Sequence, residues 1–231
     1  YRDFKIRYAQ TYIGLFWAFI QPLLTLLIFI AIFHKALNVD TGTVPYPVFA
    51  LSGIAVWSYF DFVMSQSGNS IIGAQSLVTK IYFPRLIIPL SKAILGLTDL
   101  IVSLIFLFIL FVFLRYAPPL SAIVYLPFFL FLLIVISSSV GIIISALTIR
   151  FRDLQYVVPF LAKIGLYITP VAYPATLLPN DLNWLFALNP MTGIITGFRW
   201  CITGQGIPDQ TLVIYSVFAT AFLFFTSIVL F

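Results

Sequence analysis

The chain has 231 residues, of which 62% are hydrophobic and only 8% are charged, and its mean hydropathy is +1.11. Soluble domains carry charge on roughly a quarter of their residues, so this composition excludes a water-soluble fold and predicts a surface that faces membrane lipid. The net charge of +5 comes from basic residues that are not gathered into one stripe, which argues against nucleic-acid binding. The single cysteine, Cys201, excludes an intramolecular disulfide.

At the N-terminus, aromatic residues recur every three or four positions, at Tyr1, Phe4, Tyr8 and Tyr12. This spacing gathers the four rings on one face of a helix. The pattern predicts an amphipathic helix that lies in the membrane interface. Such a helix either anchors the first span or contacts a partner, and the pattern alone does not separate the two roles.

Six apolar stretches are long enough to cross the hydrocarbon core as helices, which takes roughly 20 residues each. Lipid offers no partners to backbone amides, and the stretches lack the alternation of barrel strands, so each is predicted to be helical. The predicted fold is an all-α membrane protein in which 1–231 form a single transmembrane domain. The predicted spans cover about residues 15–33, 46–65, 93–114, 123–148, 154–173 and 211–231.

The basic residues between the spans predict the orientation, because cytoplasmic loops are enriched in Lys and Arg. Eight of them fall on one side, namely Arg2, Lys5, Arg7, Lys80, Arg85, Lys92, Arg150 and Arg152. Three fall on the other side, namely Lys35, Arg115 and Arg199. The richer side is assigned to the cytoplasm, which makes both termini cytoplasmic.

The outer segment 174–210 is too apolar for a free loop and too interrupted for a span, since Pro174, Pro179 and Pro190 break it. We predict a re-entrant helical hairpin that caps or lines a pathway, because irregular backbone at membrane depth is tolerated only next to protein or a water-filled cavity. A pair of interfacial helices on the outer leaflet is the alternative.

The cytoplasmic segment 66–92 contains a second amphipathic pattern. Asn69 or Ser70 is predicted to cap a helix of about three turns, which Pro84 ends. A helix placed between two spans acts either as a lever that couples to a cytosolic motor or as a connector that lies on the membrane surface.

No catalytic constellation emerges from the sequence. It has one histidine, one cysteine and no glutamate, so zinc sites, carboxylate pairs and nucleophile–base pairs have too few candidates. It also lacks the G-x-x-x-x-G-K-[ST] pattern of a P-loop. The chain is therefore not predicted to be an enzyme, and any ATPase that drives it is a separate polypeptide.

Three ionisable residues fall within predicted spans, where such residues are costly and mark candidate functional sites. Asp61 and Asp99 lie toward the cytoplasmic ends of their spans, where they either cap a helix or pair with Lys92 or Lys80. Lys163 lies in the middle of its span and is predicted to face a cavity or a subunit interface.

Five strings in the chain resemble, in order and spacing, the polysaccharide and polyol-phosphate export permeases of the ABC-2 type, which serve O-antigen, capsule and teichoic acid export. The strings are YRDFKIRYAQTYIGLFWAFIQPLLTLLIF, LSGIAVWSYFDFVMSQSGNSI, LVTKIYFPRLIIPLSKA, SALTIRFRDLQYVVPFLAKIGLYITPVAYP and LNPMTGIITGFRW. The resemblance implies a permease subunit that exports a lipid-linked polysaccharide across the bacterial cytoplasmic membrane.

The same resemblance implies a homodimer joined to two copies of a separate ATPase. That ATPase binds ATP and Mg, and this chain itself holds no cofactor. Residues 1–10 correspond to an interface helix, and 68–82 correspond to the coupling helix. The implied ATPase-coupling residues are Arg2, Lys5, Arg7, Asn69, Ser70, Gln75, Lys80 and Arg85.

The resemblance further implies that the first and fifth spans line the substrate path where two copies meet. Aromatic rings there would stack on the apolar C–H faces of sugars. The candidates are Phe16, Trp17, Phe19, Tyr156, Phe160, Lys163, Tyr167 and Tyr173, with Trp184 and Trp200 at the outer mouth. The alternative is that most of the 25 Phe simply face lipid. Competing functions are export of a drug or lipid, a proton-driven flippase and a structural scaffold.

Overall fold

The computed structural model describes residues 17–74, 84–175, 186 and 188–231, with the backbone alone at 17, 18 and 121. Helices are the regular elements of these residues. They are α1 (Trp17–Phe29), a π-helical segment (Ile30–Ala36) that continues it, α2 (Tyr46–Gly73), α3 (Ile87–Leu114), α4 (Leu120–Ile123), α5 (Leu126–Arg150), α6 (Leu154–Ile168), α7 (Met191–Thr203) and α8 (Gln210–Leu230).

Five of the described helical stretches are long and apolar enough to cross a membrane, which makes the chain a multi-pass membrane protein. α2 is the central helix, because 78% of an apolar 18-residue stretch of it is buried inside the protein, compared with 17% of the corresponding stretch of α8. The five stretches are Phe19–Ala36, Tyr46–Gly73, Ile87–Leu114, Leu126–Arg150 and Gln210–Leu230.

The predicted fifth span, 154–173, is helical only to Ile168. Its 15 residues make a helix of about 22 Å, which is shorter than the hydrocarbon core. The cause is Pro170, because a residue before proline is driven out of the helical conformation. Thr169 accordingly has an extended backbone, with φ −79° and ψ 144°.

The predicted cap at Asn69 or Ser70 is wrong, because both residues lie inside α2, which runs on to Gly73. The serines of this polar stretch do not break the helix, because their hydroxyls donate hydrogen bonds to backbone carbonyls. Ser70 Oγ donates to Ser67 O at 2.7 Å, and Ser67 Oγ donates to Pro89 O of α3 at 3.1 Å. The rest of the predicted coupling helix, 75–82, lies outside the described residues.

Contacts along α2 show how its neighbours run. α6 is antiparallel to α2, because Gly165 packs on Trp57 near the middle of α2 while the Ala172 carbonyl accepts a hydrogen bond from Tyr46 at its start. α5 is parallel to α2, and its C-terminal part meets α2 where Gly68 packs on Ile144. Arg150 and the start of α6 therefore lie at the same end of the bundle as Gly73.

The second arm of the predicted hairpin is α7. Almost all of its residues, from Met191 to Thr203, are buried against other helices. A helix that lies on the membrane surface would expose a polar face, so this burial argues against the interfacial alternative. The first arm falls largely on 176–185, outside the described residues.

The last helix, α8, begins with an N-cap. Asp209 accepts hydrogen bonds from the backbone N–H of Thr211 at 2.9 Å and from its hydroxyl at 2.8 Å. These hydrogen bonds to the carboxylate hold the pKa of Asp209 below its ordinary value.

Candidate functional site

One face of α6 is an uncovered stripe of three aromatic rings and a lysine. Tyr156, Phe160 and Tyr167 are 75%, 62% and 57% exposed, and Lys163 between them is also exposed. The spacings of four, three and four residues place all four side chains on one side of the helix. We call these four residues the α6 stripe, and it unites four of the predicted path residues.

Lys163 lies opposite Asp61 of α2, and the two charges are close enough to attract each other. Asp61 is half-buried and also accepts a hydrogen bond from Ser65 at 3.1 Å. The sequence suggested Lys92 or Lys80 as its partner, but in the part of the chain that the structure describes Asp61 bonds to Ser65 and attracts Lys163.

The backbone after α6 is buried and is held by side chains from two other helices. Arg199 of α7 donates from Nη1 to Pro170 O at 3.0 Å and from Nη2 to Val171 O at 2.7 Å. The Tyr46 hydroxyl donates to Ala172 O at 2.9 Å. The predicted path residue Tyr173 belongs to the same region.

Tyr173 joins the end of α6 to the π-helical segment that continues α1. Its hydroxyl donates to the carbonyls of Tyr167 and Ile168 at 2.9 and 3.1 Å, and its ring stacks on Phe33 with 6.2 Å between centroids. The first apolar stretch thus meets the C-terminal end of α6. Of the first-span candidates, Phe19 is half-buried in α1, Trp17 is described by its backbone only, and Phe16 lies outside the described residues.

Trp200 lies away from the α6 stripe. Its ring packs on Tyr125 at 5.4 Å between centroids, and both line a cavity of about 400 Å³ between α5, α7 and α8. The lining of this cavity is almost wholly apolar, and it includes Phe129 and Ile214. The other residue predicted at the outer mouth, Trp184, lies outside the described residues.

The residues predicted to couple to an ATPase are described only in part. Asn69 and Arg85 are exposed, and Ser70 is buried at 7% exposure, so Ser70 is not available to a partner in this conformation. The other five predicted coupling residues lie outside the described residues; they are Arg2, Lys5, Arg7, Gln75 and Lys80.

The sequence assigned Arg199 to an outer loop, whereas the structure buries it to 6% exposure with its guanidinium 3.7 Å from the centroid of the Phe49 ring. A signal for this was present, because Arg199 stands in an apolar helical stretch beside two small residues, Gly193 and Gly197. Small residues in such stretches mark close helix packing, and an arginine among them must find acceptors in the protein. No comparable signal marked Tyr46.

Comparison with known proteins gives relatives over most of the chain. The O-antigen export system permease protein RfbA of Myxococcus xanthus is 25% identical over 211 residues, which are 90% of this chain and 80% of the relative. RfbA of Klebsiella pneumoniae is 29% identical over 198 residues, 86% of this chain and 76% of the relative. The polysialic acid transport protein KpsM of Escherichia coli is 23% identical over 233 residues, 100% of this chain and 89% of the relative.

The family model described as ABC-2 type transporter matches residues 1–203, which include every described helix except α8. The match also includes the α6 stripe and the buried Arg199. With its apolar spanning helices and this match, the chain belongs to the ABC-2 type transporter family.

Proposed function

We propose that this chain is the membrane subunit of an ATP-driven exporter of a lipid-linked polysaccharide, of the O-antigen, capsular or teichoic-acid type, in the bacterial cytoplasmic membrane. Two copies form the permease, and two copies of a separate ATPase bind ATP and Mg²⁺ and drive it. The observation that carries the glycan assignment is the α6 stripe, because its chemistry suits the polymers for which the O-antigen and polysialic acid relatives are named.

The stripe extends over about 16 Å of helix, from Tyr156 to Tyr167. Its rings offer flat apolar faces to the C–H faces of sugars, and Lys163 offers a positive charge to a phosphate or an acidic sugar. Each contact is weak, which suits a polymer that must slide past. Lipid is a poor alternative neighbour for this face, because a lysine at mid-membrane costs about 2.5–3.5 kcal/mol.

A second copy of the chain is the neighbour that we propose for this face. α1 also leaves apolar side chains uncovered, with Leu24, Leu27 and Ile28 exposed by 49%, 53% and 54%. In a homodimer these faces enclose a path between two stripes, and Lys163 then faces water or substrate rather than hydrocarbon. The sequence has no P-loop, so the energy for export comes from another polypeptide.

Two features of the described helices support six crossings although α6 is short. The chain leaves α5 at the Gly73 end of α2 and by Ala172 has reached Tyr46 at the other end. The stretch 46–68 of α2 spans about 33 Å between these levels, which is slightly more than the roughly 30 Å of the hydrocarbon core. The α6 helix and the extended backbone after it together cover that distance.

The starts of α5 and α8 lie at the same end of the bundle, because Tyr125, Phe129, Val213 and Ile214 line one cavity. Between Arg150 and α8 the chain therefore makes one net crossing. This supports an even number of crossings, with both termini on one side, and the positive-inside rule makes that side cytoplasmic. α7 then rises from membrane depth to the outer surface, as the second arm of a re-entrant hairpin.

The proposed topology predicts which introduced cysteines an impermeant maleimide reaches in intact cells. In a Cys201→Ala background, Leu120→Cys and Ile207→Cys should react from outside, because these positions are 83% and 81% exposed at the outer end. Arg152→Cys, which is also at an exposed position, should react only after permeabilisation. Reaction of Ile207→Cys and Arg152→Cys from the same side would refute the single net crossing between them.

The proposed function predicts the result of removing this chain from its native cells. Surface polysaccharide should be lost, and lipid-linked polymer should accumulate on the cytoplasmic side, with both reversed by re-expression. Depletion of ATP should stop export in wild-type cells, whereas collapse of the proton gradient at constant ATP should not. Unchanged surface glycan with an altered resistance to drugs would contradict the proposal and favour a drug exporter of the same family.

A further inference from the structure

α6 is held only lightly along its length. Among its 15 residues only Val158 and Ala162 are buried, and Gly165 adds a close contact with the Trp57 ring of α2. A helix with so few buried side chains gains little positional stability from packing. Its position must depend on what fastens its ends.

The outer end of α6 carries a fastening made of backbone carbonyls. Because Thr169 is extended, the following carbonyls of Pro170, Val171 and Ala172 leave the helical hydrogen-bond pattern. Val171 and Ala172 are 0% and 1% exposed, so water does not reach them. A buried carbonyl without a donor costs about 1–3 kcal/mol, and each of these three needs one from elsewhere in the fold.

Two side chains supply all three donors, Arg199 from α7 and Tyr46 from the start of α2. We call Arg199, Tyr46 and the three carbonyls the α6 clasp. The guanidinium fits because its two terminal nitrogens form a planar fork, here on two successive carbonyls. Gly53 provides the room, since a Cβ there would lie 2.6 Å from Arg199 Nη2 and 2.8 Å from Val171 O.

Burying the guanidinium of Arg199 in the clasp costs more free energy than burying an apolar side chain in the same space. Arg199 is almost fully buried, and in the described part of the chain its guanidinium contacts two carbonyls and the Phe49 ring rather than a carboxylate. Its Nε is buried without a hydrogen-bond partner among the described residues. An apolar side chain would avoid these costs but could not bond to the carbonyls. The clasp therefore fixes the position of the carbonyls after α6 at a cost in folding stability.

We propose that Arg199 and Tyr46 are positioning residues for transport. By holding the carbonyls after α6 they fix the outer end of that helix, and so they set where the α6 stripe lies along the path. Tyr167 is the stripe residue nearest the clasp, only three residues before Pro170. This inference rests on the proposed function, which takes the stripe as the substrate path.

The test compares Arg199→Lys and Tyr46→Phe with the wild-type transporter. Lysine keeps the charge but lacks the fork, and phenylalanine keeps the ring that stacks on His34 but lacks the hydroxyl. Hydrogen exchange in peptides that cover 165–173 should become at least about tenfold faster in each variant, which corresponds to the loss of one hydrogen bond. Peptides from the buried middle of α5, such as 132–145, should not change.

The second measurement is the amount of glycan exported per ATP hydrolysed. Loss of a contact that only stabilises the fold would leave this ratio unchanged. We expect it to fall about tenfold in Arg199→Lys and less in Tyr46→Phe, with assembly unchanged. The matched control is Tyr59→Phe, which removes a similar buried hydroxyl bond, to Ala93 O of α3 at 3.2 Å, away from the clasp. It should alter neither exchange in 165–173 nor glycan per ATP.

Unchanged exchange in 165–173 would overturn the clasp. Faster exchange with unchanged glycan per ATP would overturn the positioning role. If Arg199→Lys does not accumulate as folded protein, Tyr46→Phe decides the matter, because it removes a single neutral hydroxyl. The exchange comparison needs no substrate, so a wild-type protein that exports no glycan would refute the proposed function while the clasp itself is still tested.

Discussion

Replacing Tyr156, Phe160 and Tyr167 together by leucine should slow glycan export about 100-fold and leave the amount of assembled protein unchanged. Each ring contributes about 1 kcal/mol of stacking on sugar C–H faces beyond its buried area, and three such losses amount to about two factors of ten in rate. Folding should be unaffected, since all three rings are more than half exposed. The measurement is the rate at which glycan appears at the surface, per assembled transporter.

The matched control is a second triple variant, with leucine at Phe108 and Phe113 of α3 and at Phe218 of α8. These rings are 65%, 80% and 71% exposed, so the control removes as many uncovered rings as the stripe variant does. It also accounts for any general role of aromatic residues against lipid. Equal export by the two variants would refute the α6 path, even if both export more slowly than the wild type.

Five of the six predicted spans correspond to described helical stretches that are long and apolar enough to cross a membrane, because crossing lipid imposes a length and an apolar composition on a helix. The ends of the helices were less predictable. α2 runs through a polar stretch with Asn69 and Ser70, because Ser67 finds the Pro89 carbonyl on a neighbouring helix. That acceptor lies 22 residues away in sequence and could not be inferred from local propensity.

In the candidate site too, local patterns could be predicted from the sequence and long-range contacts could not. The α6 stripe follows from helical spacing, which a sequence displays directly. The clasp does not, because Tyr46 and Ala172 are 126 residues apart, and Arg199 lies 28 residues from the Val171 carbonyl that it bonds. The sequence contains Pro170 and an arginine among apolar neighbours, although the predicted fifth span ran through Pro170 to 173 and Arg199 was assigned to an outer loop. Only the packing of α2, α6 and α7 joins the two features.

The packing of α7 depends on a similarly close approach, at Gly193, where α7 crosses α8. A Cβ on this residue would lie 2.5 Å from the Leu212 carbonyl oxygen and would also meet the Ser216 hydroxyl. That hydroxyl already donates to Pro190 O at 2.7 Å and to Leu212 O at 2.8 Å. The obstacle is backbone, which cannot rotate aside as a flexible side chain would. Glycine at such a crossing lets two helix backbones pack closely.

Gly193→Ala should therefore destabilise the protein by about 1–3 kcal/mol, the usual cost of overpacking, and lower its yield and melting temperature. Gly73→Ala is the matched control, since a Cβ at Gly73, in the last turn of α2, would meet nothing within 4 Å. Alanine is the better helix former by up to about 1 kcal/mol, so the control should be neutral or slightly stabilising. The two changes add the same methyl group, but only Gly193→Ala should lower the melting temperature of the purified protein. Equal effects of the two changes would mean that the approach of α7 to α8 does not restrict residue 193.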